Sequence, residues 1–177
     1  MSGKLKRGFI QVYTGDGKGK TTASIGQAIR AMGRDLHIYM GQFMKHGEYG
    51  ELITLQDFQD KMVIDQYGEE GLHVKKTPTQ KDIKRAEKGL KTLRDNMISK
   101  RFDMIIGDEI LVANHFDLLD LTSLLDLIKE KPTNVELILT GRKAPKEVIE
   151  KADLVTEMKE IKHPYQIDIE ARKGIEY

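Results

Sequence analysis

The chain has 177 residues, 39% of them hydrophobic and 32% charged, with a formal net charge of +1. This is the length of one domain, taken as residues 1–177, with a core of its own. The mixture excludes a disordered or membrane-embedded chain, and the near-neutral balance gives no electrostatic footprint for nucleic acid or an anionic membrane. There is no cysteine, which removes disulfides, Cys-ligated zinc, iron–sulfur clusters and a thiol nucleophile. No apolar run approaches the ~20 residues that cross a bilayer. Residues 1–8 are short, basic and polar, without the apolar stretch of a signal peptide, so a cytoplasmic protein is expected.

Residues 9–14 (F-I-Q-V-Y-T) form a short apolar run rich in β-formers, a buried strand. A Gly-rich turn and a helix over residues 20–32 follow, with Gly33 placed to end it. Residues 36–43 form a second strand, residues 44–50 a loop and residues 62–67 a weaker third strand. Residues 68–78 are mixed polar with two glycines and Pro78, and read as loop. Thr79 caps the next helix with Asp82 in a capping-box arrangement. That helix runs to about residue 100, with Ile83, Ala86, Leu90, Leu93 and Met97 at helical spacing. Then come a strand at 102–107 closing on Asp108, a helix at 121–131 stopped before Pro132, a strand at 135–140, a helix at 144–151 and a strand at 154–158. Strands alternating with helices imply right-handed crossovers, hence an α/β fold with a mainly parallel sheet and helices on both faces. Ligands of such sheets sit at the carboxyl ends of the strands.

Thr14-Gly15-Asp16-Gly17-Lys18-Gly19-Lys20-Thr21 lies between the first strand and the first helix. It matches the P-loop pattern except at its first position, where Thr replaces Gly. The glycines let the backbone curl so that several N–H groups converge on an anion. The helix beginning at Lys20 adds its positive dipole end. Lys20 offers an ammonium to phosphate oxygens and Thr21 a hydroxyl to Mg²⁺. Asp16 and Lys18 fit either ligand contact or plain loop surface.

The apolar strand ending in Asp108-Glu109 is the matching Walker-B position. Asp108 is expected to hold Mg²⁺ directly or through water, and Glu109 to polarise a water or position substrate. Arg142, in Thr140-Gly141-Arg142, ends another strand on the phosphate side and suits polyphosphate charge. Gln42-Phe43-Met44-Lys45 ends the second strand likewise, and Lys162-His163-Pro164-Tyr165 follows the last. No Ser-His-Asp set and no substrate-specific kinase signature is present. Read from residues alone, this is a Mg-ATP-binding α/β domain open to ATPase, kinase or transferase chemistry.

These segments, in order, resemble the ATP:corrinoid adenosyltransferases of the BtuR/CobO/CobP group. The likeness rests on the phosphate loop through Thr22-Ala23, Arg30-Ala31-Met32-Gly33, Gln42-Phe43-Met44-Lys45, Asp108-Glu109-Ile110 and Thr140-Gly141-Arg142. The tail adds Ala152-Asp153-Leu154-Val155-Thr156-Glu157-Met158, Lys162-His163-Pro164-Tyr165 and Gly174-Ile175-Glu176-Tyr177. The resemblance implies a single RecA-like P-loop domain in which cobalt(I) of a reduced corrinoid attacks the ribose 5′ carbon of ATP and triphosphate leaves. Cobalt(I) brings its own lone pair, which agrees with the absence of a protein base. By resemblance, Thr14, Gly15, Asp16, Gly17, Lys18, Gly19, Lys20, Thr21 and Thr22 bind the triphosphate and Arg30 lies near the nucleoside. Thr21 and Asp108 serve Mg²⁺, and Lys20, Glu109 and Arg142 act on the reaction. A homodimer and a separate flavoprotein reductant are implied as well.

The chain departs from the group at Asp16, where Asn is usual, and at Gln166-Ile167-Asp168, where a small or Gly-containing step is usual. The usual G-F-T-W segment, whose aromatics line the corrinoid side, falls on Gly71-Leu72-His73-Val74. Two other readings are a P-loop ATPase or kinase, which predicts ADP release, and a non-catalytic ATP-regulated corrinoid-binding module, which predicts binding without turnover.

Overall fold

The computed structural model describes residues 5–69 and 78–177. Six strands pair in parallel throughout. They are β1 (Ile10–Thr14), β2 (Ile38–Gln42), β3 (Met62–Gln66), β4 (Met104–Asp108), β5 (Glu136–Thr140) and β6 (Leu154–Glu157), in the order β3-β2-β4-β5-β1-β6. The helices are α1 (Lys20–Met32), α2 (Gly50–Leu55), α3 (Gln80–Ile98), α4 (Ile110–His115), α5 (Leu121–Lys129) and α6 (Lys146–Lys151).

The central strands β2, β4 and β5 are buried on both faces, which is why they read as unbroken apolar runs. Successive side chains alternate between two cores. Tyr39, Ile105, Leu137 and Leu139 face the side covered by α3, α4 and α5. Ile38, Met40, Ile106 and Ile138 face α1, meeting Ala28, Ala31 and Met32. Helices thus cover both faces, as the alternation of elements predicts. Local capping fixes where they begin. The Thr79 amide donates to Asp82 Oδ2 at 2.9 Å and the Asp82 amide to Thr79 Oγ1 at 3.3 Å, the expected reciprocal box. Asp120 caps α5 by accepting from the Ser123 amide at 2.7 Å.

Three local expectations change. α2 begins at Gly50, the last residue of the expected loop, and α4 follows directly on the acidic pair. Each has six residues, too few for a helical period to show. Gly33 follows α1 but keeps a right-handed φ of −64°; the left-handed residue is Asp35, at φ 58°.

Strand β5 lies between β1 and β4. That order brings Thr14, Thr140, Asp108 and Gln42, the last residues of β1, β5, β4 and β2, to one edge of the sheet.

Candidate active site

The loop from Gly15 to Gly19 joins β1 to α1 at that edge. Gly15 and Gly19 have φ of +96° and +123°, a region side chains avoid. The Gly17 amide donates to Met158 O at 2.7 Å. A Cβ on Gly15 or Gly17 would stand 2.4 or 2.7 Å from that same oxygen, so residue 158, just beyond β6, backs the loop. Lys20 opens α1 and curls into the loop, its Nζ donating to Gly15 O and Gly17 O at 2.7 Å each. Burial pulls the Lys20 ammonium below its usual range, against Glu109, which favours the charge.

Asp108 is fully buried and fully engaged. Its Oδ1 accepts from Thr21 Oγ1 at 2.8 Å and from Thr140 Oγ1 at 2.7 Å. Its Oδ2 accepts from Gln42 Nε2 at 3.3 Å and lies 3.2 Å from Lys45 Nζ. Four partners occupy the carboxylate's lone-pair sites. Lys45 also reaches Glu51 of α2 at 3.2 Å and sits over the Tyr49 ring, 5.1 Å from its centroid. Burial opposes the Lys45 charge, but Asp108 and Glu51 outweigh it and hold the pKa above the lysine norm.

Glu109 follows with a left-handed φ of 58°, uncommon for a residue with a side chain. Its amide donates to Thr140 Oγ1 at 3.0 Å. Burial raises its pKa and the neighbouring Asp108 raises it further, against the cations Lys20, Lys45 and Arg142. A cavity of about 520 Å³ opens over these groups. Gly17, Lys18, Gly19, Lys20, Thr21 and Thr22 form one side; Lys45, Glu51, Glu109 and Arg142 the other. His163 and residues 174–177 complete the rim.

The structure therefore gathers most of the sequence-predicted residues, with exceptions. Thr14 and Asp16 face a separate cavity beyond the loop, with Lys143, Ala144 and Glu157, and Gly15 lines it too. Thr14 Oγ1 accepts from the Ala144 amide at 3.3 Å. The Lys18 ammonium turns to the chain's last residues, 2.7 Å from Ile175 O and 2.9 Å from Glu176 Oε1. Arg30 does not join this cavity. Ten residues along α1 carry it roughly 15 Å from the loop. There it bonds Gln27 Oε1 at 3.2 Å and lines a cleft with Arg34, Met104 and Glu136, at the amino ends of β4 and β5. His163 lines the main cavity, its Nδ1 accepting from the Tyr165 amide at 3.1 Å. The segment Gly71-Leu72-His73-Val74 lies outside the described residues.

Lys45 and Glu51 were not assigned roles from sequence. The readable signal was Lys45's place just past a strand that ends on the phosphate side; Glu51 depends on a helix too short to see. Among the described residues no group of three or more His, Cys, Asp or Glu side chains forms a metal cluster. The Thr21 hydroxyl and the Glu109 carboxylate, which line the cavity, are instead hard oxygen donors of the kind that complete Mg²⁺ coordination with substrate phosphates, with Asp108 behind Thr21. Thr21 donates its proton to Asp108, which leaves its own lone pairs free for a cation. No described helix is long and apolar enough to cross a membrane.

A family model described as ATP:corrinoid adenosyltransferase BtuR/CobO/CobP matches residues 6–177. A protein of Sinorhizobium sp named corrinoid adenosyltransferase is 36% identical over 177 residues, covering 97% of this chain and 81% of its own. A corrinoid adenosyltransferase of Pseudomonas aeruginosa is 31% identical, with 97% and 85% covered. One of Escherichia coli K12 is 30% identical, with 97% and 87% covered.

Proposed function

Since the chain belongs to the ATP:corrinoid adenosyltransferase family BtuR/CobO/CobP, we propose that the cavity over Lys20, Glu109 and Arg142 is where its reaction takes place. The chain is an enzyme of the cobalamin pathway that transfers the 5′-deoxyadenosyl group of ATP to the cobalt of a reduced corrinoid. Cobalt(I) supplies the electron pair, a bond forms to the ribose 5′ carbon, the bond from that carbon to oxygen breaks, and triphosphate departs. The protein's task is to orient ATP, carry the charge of the leaving group and keep water out.

The observation that carries the assignment is that residues 17–22, with Lys20 among them, and Arg142 line one cavity. The loop and the start of α1, from Gly17 to Thr22, hold the triphosphate, and the two cations stabilise it as it leaves. Mg²⁺, when bound, neutralises phosphate charge. Thr21 would hold it directly. Asp108, with four partners already, would act from behind Thr21. Glu109 sits beside them, positioning substrate.

The catalytic domain is residues 1–177, and the working unit is a homodimer served by a separate flavoprotein reductant. The family likeness supports both, and exposed Leu154 and Val155 on edge strand β6 supply apolar surface for a second copy. A cobalt(I) substrate survives only in reducing surroundings, which supports a cytoplasmic setting.

Incubation with Mg-ATP and chemically reduced corrinoid tests the reading. A light-sensitive adenosylated product with one equivalent of triphosphate is expected; ADP release without cobalt chemistry would refute it.

A further inference from the structure

The last six residues form a hook that bonds to itself. The Gly174 amide donates to Tyr177 O at 2.7 Å, and the Glu176 amide to Arg172 O at 2.9 Å. The Arg172 amide donates to Glu176 Oε2 at 2.7 Å, and its guanidinium reaches both carboxylate oxygens, Nε to Oε2 at 3.3 Å and Nη2 to Oε1 at 3.2 Å. The hook lies against the phosphate loop, where Lys18 Nζ grips Ile175 O and Glu176 Oε1. Arg172 first and Lys18 second draw the Glu176 pKa down to about 2. A carboxylate beside a polyphosphate site is thereby matched by two cations.

The hook lends Gly174, Ile175, Glu176 and Tyr177 to the cavity wall, and Ile25 of α1 lines the same space. Ile25, Ile175 and Tyr177 suit the flat faces of a purine, and the Glu176 carboxylate, held by Arg172 and Lys18, offers nothing to phosphate. We propose that residues 172–177 form the nucleoside-facing wall of the ATP cavity, with Lys18 as the anchor of that wall and not a ligand of the triphosphate. The proposal rests on the phosphate-cradle reading above and gives the nucleoside the side that Arg30, at the far end of α1, does not supply.

Calorimetric titration of the full chain with Mg-ATP, and separately with inorganic triphosphate, tests it. Lys18→Met and Glu176→Gln should each weaken ATP about tenfold, as expected for losing a charge-assisted anchor. The double variant should be no weaker, because both changes cut one link. Triphosphate affinity should stay within about twofold of wild type, a difference near the ±0.5 kcal/mol scatter of surface changes. Ile175→Ala with Tyr177→Ala, both exposed side chains outside the core, should reproduce the ATP loss without touching Lys18. Tighter ATP or triphosphate in Glu176→Gln would mean that the hook competes with phosphate, and would overturn the proposal. So would equal weakening of both ligands in Lys18→Met. Lys20→Ala separates the two levels. If it loses triphosphate while the hook variants bind ATP normally, the wall is wrong and the cradle stands. If it keeps triphosphate, the cradle fails and the wall with it.

Discussion

Thr140 Oγ1 donates to Asp108 Oδ1 across adjoining strands at 2.7 Å and at the same time accepts from the Glu109 amide at 3.0 Å. One buried hydroxyl thus fixes both acidic residues at the end of β4. Thr140→Val keeps the shape and removes the link. It should cost about 1–3 kcal/mol of stability, the penalty for stranding buried polar groups, and should weaken Mg²⁺-dependent ATP binding. Urea denaturation beside a metal titration would check this; unchanged behaviour in both would remove Thr140 from the site.

Lys20→Ala is expected to keep native circular dichroism, because its ammonium bonds only loop carbonyls. ATP affinity should drop roughly 10–100-fold, as for losing a charged hydrogen-bonding group. An unfolded variant would show that the lysine holds the loop together and does not serve the ligand.

Lys45 and Asp108 form a pair in which the carboxylate has no exposure. Lys45→Met strands that charge and should destabilise the ligand-free protein by about 3–5 kcal/mol. Adding Asp108→Asn should recover part of the loss, and a double-mutant cycle measures how much. Strict additivity would mean the two side chains act independently.

Glu109 is held above the ordinary carboxylate range by burial and by Asp108, so its ionised form is unfavourable in the fold. In metal-free protein at neutral pH, Glu109→Gln should leave the thermal midpoint unchanged or higher, while adenosyl transfer falls. A clear loss of stability would assign the glutamate a structural role instead.

Asp82 has the opposite shift. Hydrogen bonds from the Thr79 side chain and backbone lower its pKa. A depressed carboxylate stabilises the fold above its unfolded value of about 3.9, and that contribution vanishes as pH falls through the folded value. Asp82→Asn should therefore cost about 1 kcal/mol at pH 7, typical of a lost cap. The gap to wild type should close in acid below about pH 4. Denaturation curves at the two pH values compare directly.

The phosphate loop and the acidic pair were readable because their chemistry is local. Glycines at fixed spacing, Lys20-Thr21 at a helix start and two carboxylates at a strand end each carry their meaning within eight residues. Thr140 was legible as a strand end, though not its bonds, because those run across the sheet to a residue 32 positions away. Lys45 was opaque for the same reason, its partner Asp108 lying on another strand, and Glu51, which pairs with Lys45, sits on a helix too short to show a period. Arg30, which family likeness puts near the nucleoside, is carried away from the loop by helix rise within one chain.

Residue 158 backs Gly15, Gly17 and Gly19 yet hangs from β6, an edge strand whose four residues are all exposed. The curvature that grips phosphate is thus underwritten by the least protected strand of the sheet. If β6 peels from β1, the loop loses its backing. Deuterium should therefore enter the Gly17 amide and the β6 amides at one shared rate, faster than in β4 or β5. Any surface that covers β6 would slow both and stiffen the nucleotide grip from outside the cavity.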